Sequence, residues 1–512
     1  MPHTVRVRNT HGEPSIVGFA EVNGSSGRYA PIMDSSRQTR VRQAFDSFFE
    51  PTEPRSASWV LDLFQHTAAT VPAYRKLLRE NGIDPASVRT FEDFQRLPLL
   101  DKPSYHERYP LPELCRDGTL AGCDMIAVSS GSSGRPTIWP RALEDELHVA
   151  RRFEQVVVDG FQADQRSTLA VVCFPLGTWV GGLFTQACVR HLAAKGCPIT
   201  VVAPGNNKAE ILRVLPELAP HFDQVVLLGY PPFLKDVIDT PGVDWPSYSI
   251  KLVLAGEVFS EQWRDLVSRR AAIADPLRDV ASLYGTADSG VLGNETALSV
   301  GIRRFFALRP DLAREMFGDS RLPTLVQYDP ATRYFETHDG TLLFTGDGGI
   351  PLVRYHIADE GGVFGYDELL AYCAEHGFTP PPGPRLPFVY LFGRSLFTVS
   401  FFGANVYPEN VTVGLEQPGI SETVTGKFVI ESVEDADRDR FLRITVETAP
   451  GKTADGRAIA ESIRDQLLRL NSEYAHYVPA ERQLPEVVLR DAGDPDYFPA
   501  GVKHRYTRPG AK

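Results

Sequence analysis

Apolar spacing divides the chain into a helical opening, an alternating body and a tail of different pattern. Between residues 58 and 81 the positions Val60, Leu61, Phe64, Val71, Tyr74, Leu77 and Leu78 recur at helical spacing and predict one helix. Residues 143–158 read as another. Four short, continuous apolar runs follow at 169–174, 200–204, 224–228 and 251–256, with helical segments at 208–215 and 261–271. Buried strands alternating with helices predict an α/β fold with mainly parallel sheets. Behind residue 397 the pattern changes to strands at 427–432 and 441–448, a long helix at 454–471 and a last strand at 486–489. The expected division is a polar, Gly/Ser-rich and partly disordered arm over 1–57, a large domain over 58–392, a boundary at 393–397 and a small α+β domain over 398–512. The last is about 115 residues, an ordinary domain size.

The length of 512 residues and 43% hydrophobic content allow two to four units with a large core. A net charge of −12 argues against nucleic-acid or anionic-membrane partners. No apolar run reaches membrane-spanning length and the first residues carry no signal-peptide core, so a cytoplasmic protein is expected. Cys115, Cys123, Cys173, Cys188, Cys197 and Cys373 form no C-x-x-C, and no His pair has metal-ligand spacing. They read as reduced thiols.

The clearest candidate chemistry is Ala127-Val128-Ser129-Ser130-Gly131-Ser132-Ser133-Gly134-Arg135-Pro136-Thr137. Glycine lets backbone N–H groups converge on an anion. The hydroxyls of Ser129, Ser130, Ser132 and Ser133 add donors, and Arg135 adds a fixed positive fork. Such a run is either a phosphate cradle or a plain linker, and the spacing of a Walker loop is absent. Ala255-Gly256-Glu257 ends a predicted strand ahead of a helix capped by Ser260, and reads as a tight turn or as a ligand contact beyond a strand end.

Further motifs occur in order around these two: Val71-Pro72-Ala73-Tyr74-Arg75, Leu97-Pro98-Leu99-Leu100-Asp101-Lys102, Leu283-Tyr284-Gly285-Thr286-Ala287-Asp288, Pro351-Leu352-Val353-Arg354-Tyr355-His356-Ile357-Ala358-Asp359 and Phe392-Gly393-Arg394-Ser395, with Phe402-Gly403-Ala404-Asn405-Val406-Tyr407-Pro408 behind the last. The set resembles the AMP-forming adenylating superfamily of acyl-CoA synthetases, adenylation domains and luciferases, and within it the phenylacetate–CoA ligase branch, over residues 58–508. The resemblance implies a large domain with a small C-terminal domain that swings about a hinge at 393–397. It implies ATP and Mg²⁺ as cofactors, with CoA as the acceptor in close relatives. It implies that residues 129–135 hold phosphates, that Gly256 and Glu257 lie beside the adenine, and that Tyr284, Gly285 and Thr286 form the next nucleotide contact. By the same resemblance Asp288 would hold Mg²⁺, Asp359 (rather than Asp347) would bind the ribose, Arg394 would reach the ribose or phosphates, and Lys503 is the candidate for the catalytic lysine. Phe174, Trp179, Gly181, Tyr284 and Gly285 form the acid pocket, with Phe184 beside them.

This sequence departs from the family pattern at Ala287 and Asp288, where a hydroxyl residue and a glutamate are usual, and at Leu396, Phe397 and Phe402, where the family has two acids and an arginine. Apolar residues there suit a packed junction. The expected activity is therefore activation of an aryl or arylacetic acid, a small-molecule partner, with transfer to CoA. Adenylation with another acceptor (an amine, a carrier protein, or nitrite for diazotisation of an aryl amine) stands beside it, as does a non-catalytic nucleotide-binding relative. Relatives in this family are often homodimers.

Overall fold

Runs of aliphatic residues that are buried end to end form the centre of the molecule. The computed structural model describes residues 7–8, 14–15, 35–49, 58–129, 137–319, 322–394, 398–498 and 506–507. Behind a two-residue pair, Val7–Arg8 with Pro14–Ser15, the strands in chain order are β1 (Met125–Ser129), β2 (Thr137–Arg141), β3 (Thr168–Val172), β4 (Ile199–Val202), β5 (Gln224–Gly229), β6 (Ile250–Ala255), β7 (Val280–Thr286), β8 (Gly290–Asn294), β9 (Thr324–Gln327), β10 (Arg333–His338), β11 (Thr341–Gly346), β12 (Leu352–Phe364), β13 (Phe388–Arg394), β14 (Val399–Phe401), β15 (Ala404–Val406), β16 (Val424–Glu434), β17 (Arg440–Thr448) and β18 (Glu486–Arg490).

One 11-stranded sheet runs in the order β10-β11-β12-β13-β9-β8-β7-β6-β5-β3-β4. Strands β4, β3, β5, β6 and β7 are parallel, as the alternating pattern predicts. From β7 to β10 every pairing is antiparallel. The α/β reading holds, and the structure adds this hairpin-built half to its parallel half. Strands β1 and β2 pair with each other, Ser129 opposite Thr137. Among the described residues no helix is long and apolar enough to cross a membrane, and all six cysteines are free.

The helix expected over 58–81 is two helices, Trp59–Thr70 and Pro72–Glu80. Pro72 lacks the N–H that would continue the first, and it holds Val71 in an extended conformation (φ −98°, ψ 111°). Within the stretch read as an arm, Ser35–Phe49 is a helix. Its Phe48 is buried, with His191 edge-on at 6.3 Å and the Lys195 ammonium 4.9 Å from the ring centre.

Beyond residue 397 the four predicted elements all occur. β16 pairs antiparallel with β17 and β17 parallel with β18, packed on helices Gly456–Leu470 and Ser472–Tyr477. Buried apolar residues run without a break from β3 and β5 through Phe401 and Phe402 into Ile430, Ile444 and Ile463. The tail is thus packed on the large sheet, in keeping with an apolar Phe402.

One buried acid sets a pH dependence. Asp145, near the start of helix Leu143–Glu154, accepts the N–H groups of Ala142 at 3.0 Å and Gly349 at 2.9 Å. Burial pushes its carboxyl up to about 6, against the pull of Arg141. At this one group the folded chain therefore holds a proton that the unfolded chain releases between pH 4 and 6, and the stability contributed by Asp145 falls as pH rises through that window. Asp145→Asn is expected to flatten this slope, by on the order of 2 kcal/mol between pH 4.5 and 7, in urea unfolding at the two pH values.

Candidate active site

The C-terminal ends of four adjacent parallel strands converge. Phe174 beyond β3, Tyr230 after β5, Gly256 and Glu257 after β6, and Tyr284 to Asp288 at the end of β7 line one cavity of about 290 Å³. Open α/β sheets collect ligands at this edge, where loops and backbone donors face a common crevice. The tail closes the cavity with Gly403, Asn405 and Tyr477.

One end is polar. Asp288 is 4% exposed. Its Oδ2 accepts the Tyr355 hydroxyl at 2.7 Å, and its Oδ1 lies 3.4 Å from the Lys102 ammonium. Its backbone carbonyl accepts from Arg141 at 3.0 Å, which fixes the turn. Asp359 accepts the Tyr284 hydroxyl at 2.7 Å. Two tyrosines thus each hold one acid at the cavity wall.

Lys102 and Asp359 reach this end together. The Leu100 N–H donates to the Arg354 carbonyl (3.1 Å), and the His356 N–H donates to the Leu100 carbonyl (2.7 Å). The two motifs around Lys102 and Asp359, distant in sequence, are one structural unit. Arg354 and Ala358 both adopt left-handed backbone, φ 51° and 62°, which is costly for residues with a side chain. The Arg354 guanidinium is held by the Glu336 carboxylate at 3.1 Å and by the Leu97 carbonyl.

The other end is apolar, with Phe153, Phe174, Val180, Phe184 and Val291 around Gly181. Gly182, next in the helix, packs so closely that an added Cβ would lie 2.2 Å from the Pro175 carbonyl oxygen. This draws the helix start onto the segment behind β3. Trp179 is buried but packs beside the cavity, on Tyr477 at 5.0 Å and His476 at 5.7 Å, and does not line it.

Most sequence-derived candidates fall on these walls. Ser129 lines the cavity and accepts the Trp139 indole N–H at 3.2 Å. Thr286 lines it and accepts the Ser289 N–H at 3.2 Å. Gly285 is wedged against Gly290, whose carbonyl oxygen would meet an added Cβ at 2.8 Å. Asp347 lies elsewhere, paired with Arg116 and the Gly348 N–H. Ser130, Gly131, Ser132, Ser133, Gly134, Arg135, Leu396, Phe397 and Lys503, with the side chain of Arg394, lie outside the described residues. Sequence reasoning missed the roles of Lys102, Tyr355, Tyr230 and Tyr477 as wall or support. For Lys102 the signal was its position in a motif read only as a family marker.

The donor set bears on magnesium. Among the described residues the one group of three metal-capable side chains is Asp239, Asp437 and Asp439, which lies against Lys235 and Arg270. Asp288 is a single carboxylate beside a lysine. Mg²⁺ commonly takes one or two carboxylates and completes its shell with phosphate and water oxygens. Asp288 fits that mode and not a cage made by protein alone.

No protein-family model matches the sequence. The chain is similar to the phenylacetate-coenzyme A ligase of Aromatoleum evansii, 22% identical over 312 residues that cover 58% of this chain and 62% of that protein. It is also similar to the phenylacetate-coenzyme A ligase of Thermus thermophilus, 24% identical over 294 residues, 56% of this chain and 60% of that one. The matches thus span under two thirds of these relatives. Among solved structures, 2-hydroxyisobutyryl-CoA ligase with 2-HIB-AMP and CoA in the thioesterification state gives a TM-score of 0.61 at 17% identity, covering 88% of this chain and 89% of that one. The same ligase in the postadenylation state with R3-HIB-AMP gives 0.51 at 16% identity, covering 88% of each. The chain has the fold that these adenylate-forming ligases share.

Proposed function

We propose that the protein activates a carboxylic acid with ATP, forming an acyl-adenylate and pyrophosphate, and then transfers the acyl group to CoA. The supporting observation is the convergence of Lys102, Tyr284, Asp288 and Asp359, from separate parts of the chain, on one cavity whose other end is apolar. An aryl or arylacetic acid suits the slot between Phe174 and Phe184, with Gly181 leaving room for a flat ring.

In this reading Asp359, oriented by the Tyr284 hydroxyl, accepts from the ribose hydroxyls. The carboxylate oxygen of the acid attacks the α-phosphorus, a P–O bond forms, and the bond to pyrophosphate breaks. Lys102 places a cation beside the reacting phosphates. Residues 129–135 hold the leaving pyrophosphate, and Arg394 and Lys503 offset charge on the α-phosphate. Asp288 would hold Mg²⁺ together with phosphate oxygens, and that ion supplies further charge neutralisation. Positioning and fixed charge carry most of such a reaction, which needs little covalent help from the protein. The CoA sulfur then attacks the acyl carbon and AMP leaves.

A second reading keeps the first half and changes the acceptor to an amine, a carrier protein or nitrite. It draws on the departures at Ala287 and Phe402, the latter 2% exposed with φ 53° where the family has an arginine. The test is Mg-ATP with a panel of aryl acids, alone, with CoA, and with nitrite plus an aminobenzoate, with products read by mass. A CoA thioester is the expected product. Pyrophosphate without a thioester moves the assignment to the second reading. ATP binding without pyrophosphate release for any acid overturns both.

A further inference from the structure

Glu257 sits in a motif expected to face the adenine, yet both of its oxygens are engaged by the tail. Its side chain is 0% exposed. Oε1 accepts the Gly403 N–H at 2.7 Å, and Oε2 pairs with the Arg440 guanidinium. Arg440, at the start of β17, also donates to the Val258 carbonyl at 2.5 Å and to Glu434 at 3.0 Å.

The same contact is shaped by glycine on both sides. Gly256 and Gly403 each have φ +82°, and an added Cβ at either would lie 2.6 or 2.5 Å from the Tyr230 ring. Tyr230 is therefore held between a turn of the large domain and a turn of the tail. An outer ring of ion pairs continues the contact. Lys235, 1% exposed at its side chain, binds Asp439 at 2.5 Å and Asp239 at 2.7 Å, and Arg482 spans Asp236 at 3.3 Å and Asp439 at 3.2 Å.

We propose that Glu257 is a positioning residue that docks residues 398–498 onto the large domain through Gly403 and Arg440, and is not a nucleotide contact. The carboxylate is fully enclosed and gives one oxygen to each of two tail partners, so it presents no exposed edge to a base. Because Glu257 is enclosed, removing Arg440 leaves its charge buried and uncompensated, while removing the Glu257 charge leaves Arg440 with Glu434 alone and unties it from the large domain's carboxylate, so the pair acts as a latch. Only the half-reaction readout rests on the function proposed above.

The test compares Glu257→Gln, Arg440→Met, the double variant and Asp439→Asn with the wild type. Asp439→Asn loosens the outer ring without touching the nucleotide motif, and serves if the buried variants fold poorly. Hydrogen exchange over residues 398–407 is expected to rise about tenfold in each single variant, and to fall back toward wild type in the double, where neither charge is stranded. The KM for ATP and acid-dependent pyrophosphate release stay within about threefold, while transfer to the acceptor drops about tenfold or more. A tenfold rise in the KM for ATP with exchange unchanged overturns the proposal, as does a double variant no better protected than Arg440→Met alone. If no acid is activated by the wild type, the function proposed above fails, and exchange alone decides the docking role.

Discussion

Asp288→Asn lowers acid-dependent pyrophosphate release by about 10²–10³-fold while the protein keeps its fold. Asparagine has nearly the same shape and its carbonyl oxygen still accepts the Tyr355 hydroxyl, which sits at 2.7 Å. What disappears is the charge that faces the Lys102 ammonium at 3.4 Å and that would hold a metal with the phosphates. The loss falls on the step in which charge develops, so the rate drops at saturating ATP. Initial rates alongside a thermal melt make the separation. Lys102→Met gives a loss of the same kind, and the double variant is less impaired than the product of the two singles, since both act on one charge arrangement. A rate for Asp288→Asn within threefold of wild type removes Asp288 from the chemistry.

Arg264→Met destabilises the large domain by about 3–5 kcal/mol, because it strands a buried carboxylate. Arg264, on helix Glu261–Arg270, is 0% exposed. Its guanidinium binds both oxygens of Glu295, at 2.9 and 3.0 Å, and Nε binds Glu261 at 2.9 Å. Glu295 has a fully buried side chain, and its Oε2 also accepts the Ser282 N–H at 2.8 Å. That bond pins β7 at Ser282, which lines the cavity beside Leu283 and Tyr284, so the network supports the cavity wall from behind. Urea unfolding measures the change, and Arg264→Met with Glu295→Gln is expected to recover part of it. A loss below 1 kcal/mol contradicts the role given to this network.

The parallel half of the sheet was legible because its strands are buried on both faces and appear as continuous apolar runs. The antiparallel half was not. Strand β10, Arg333–His338, carries mixed polar and apolar residues, and nothing local separates it from a loop. The break at Val71 and Pro72 was written in the sequence but outweighed by helical spacing on either side. In the site, residues just beyond strand ends were legible because turn chemistry and family resemblance agree there. Lys102 was not, because it reaches the cavity only through the bridge from Leu100 to Tyr355. Glu257 was legible as a residue at the cavity wall, but its partners Gly403 and Arg440 lie in the tail, and local pattern carries no information about such distant pairings.

The most direct measurement is pyrophosphate release from Mg-ATP across a panel of aryl and arylacetic acids, by wild type and by Lys503→Ala. The account predicts release that depends on the acid, favours flat apolar acids over short or doubly charged ones, and falls by about 10²-fold or more in the variant. Release that ignores the acid, or none with any acid while ATP still binds, contradicts it.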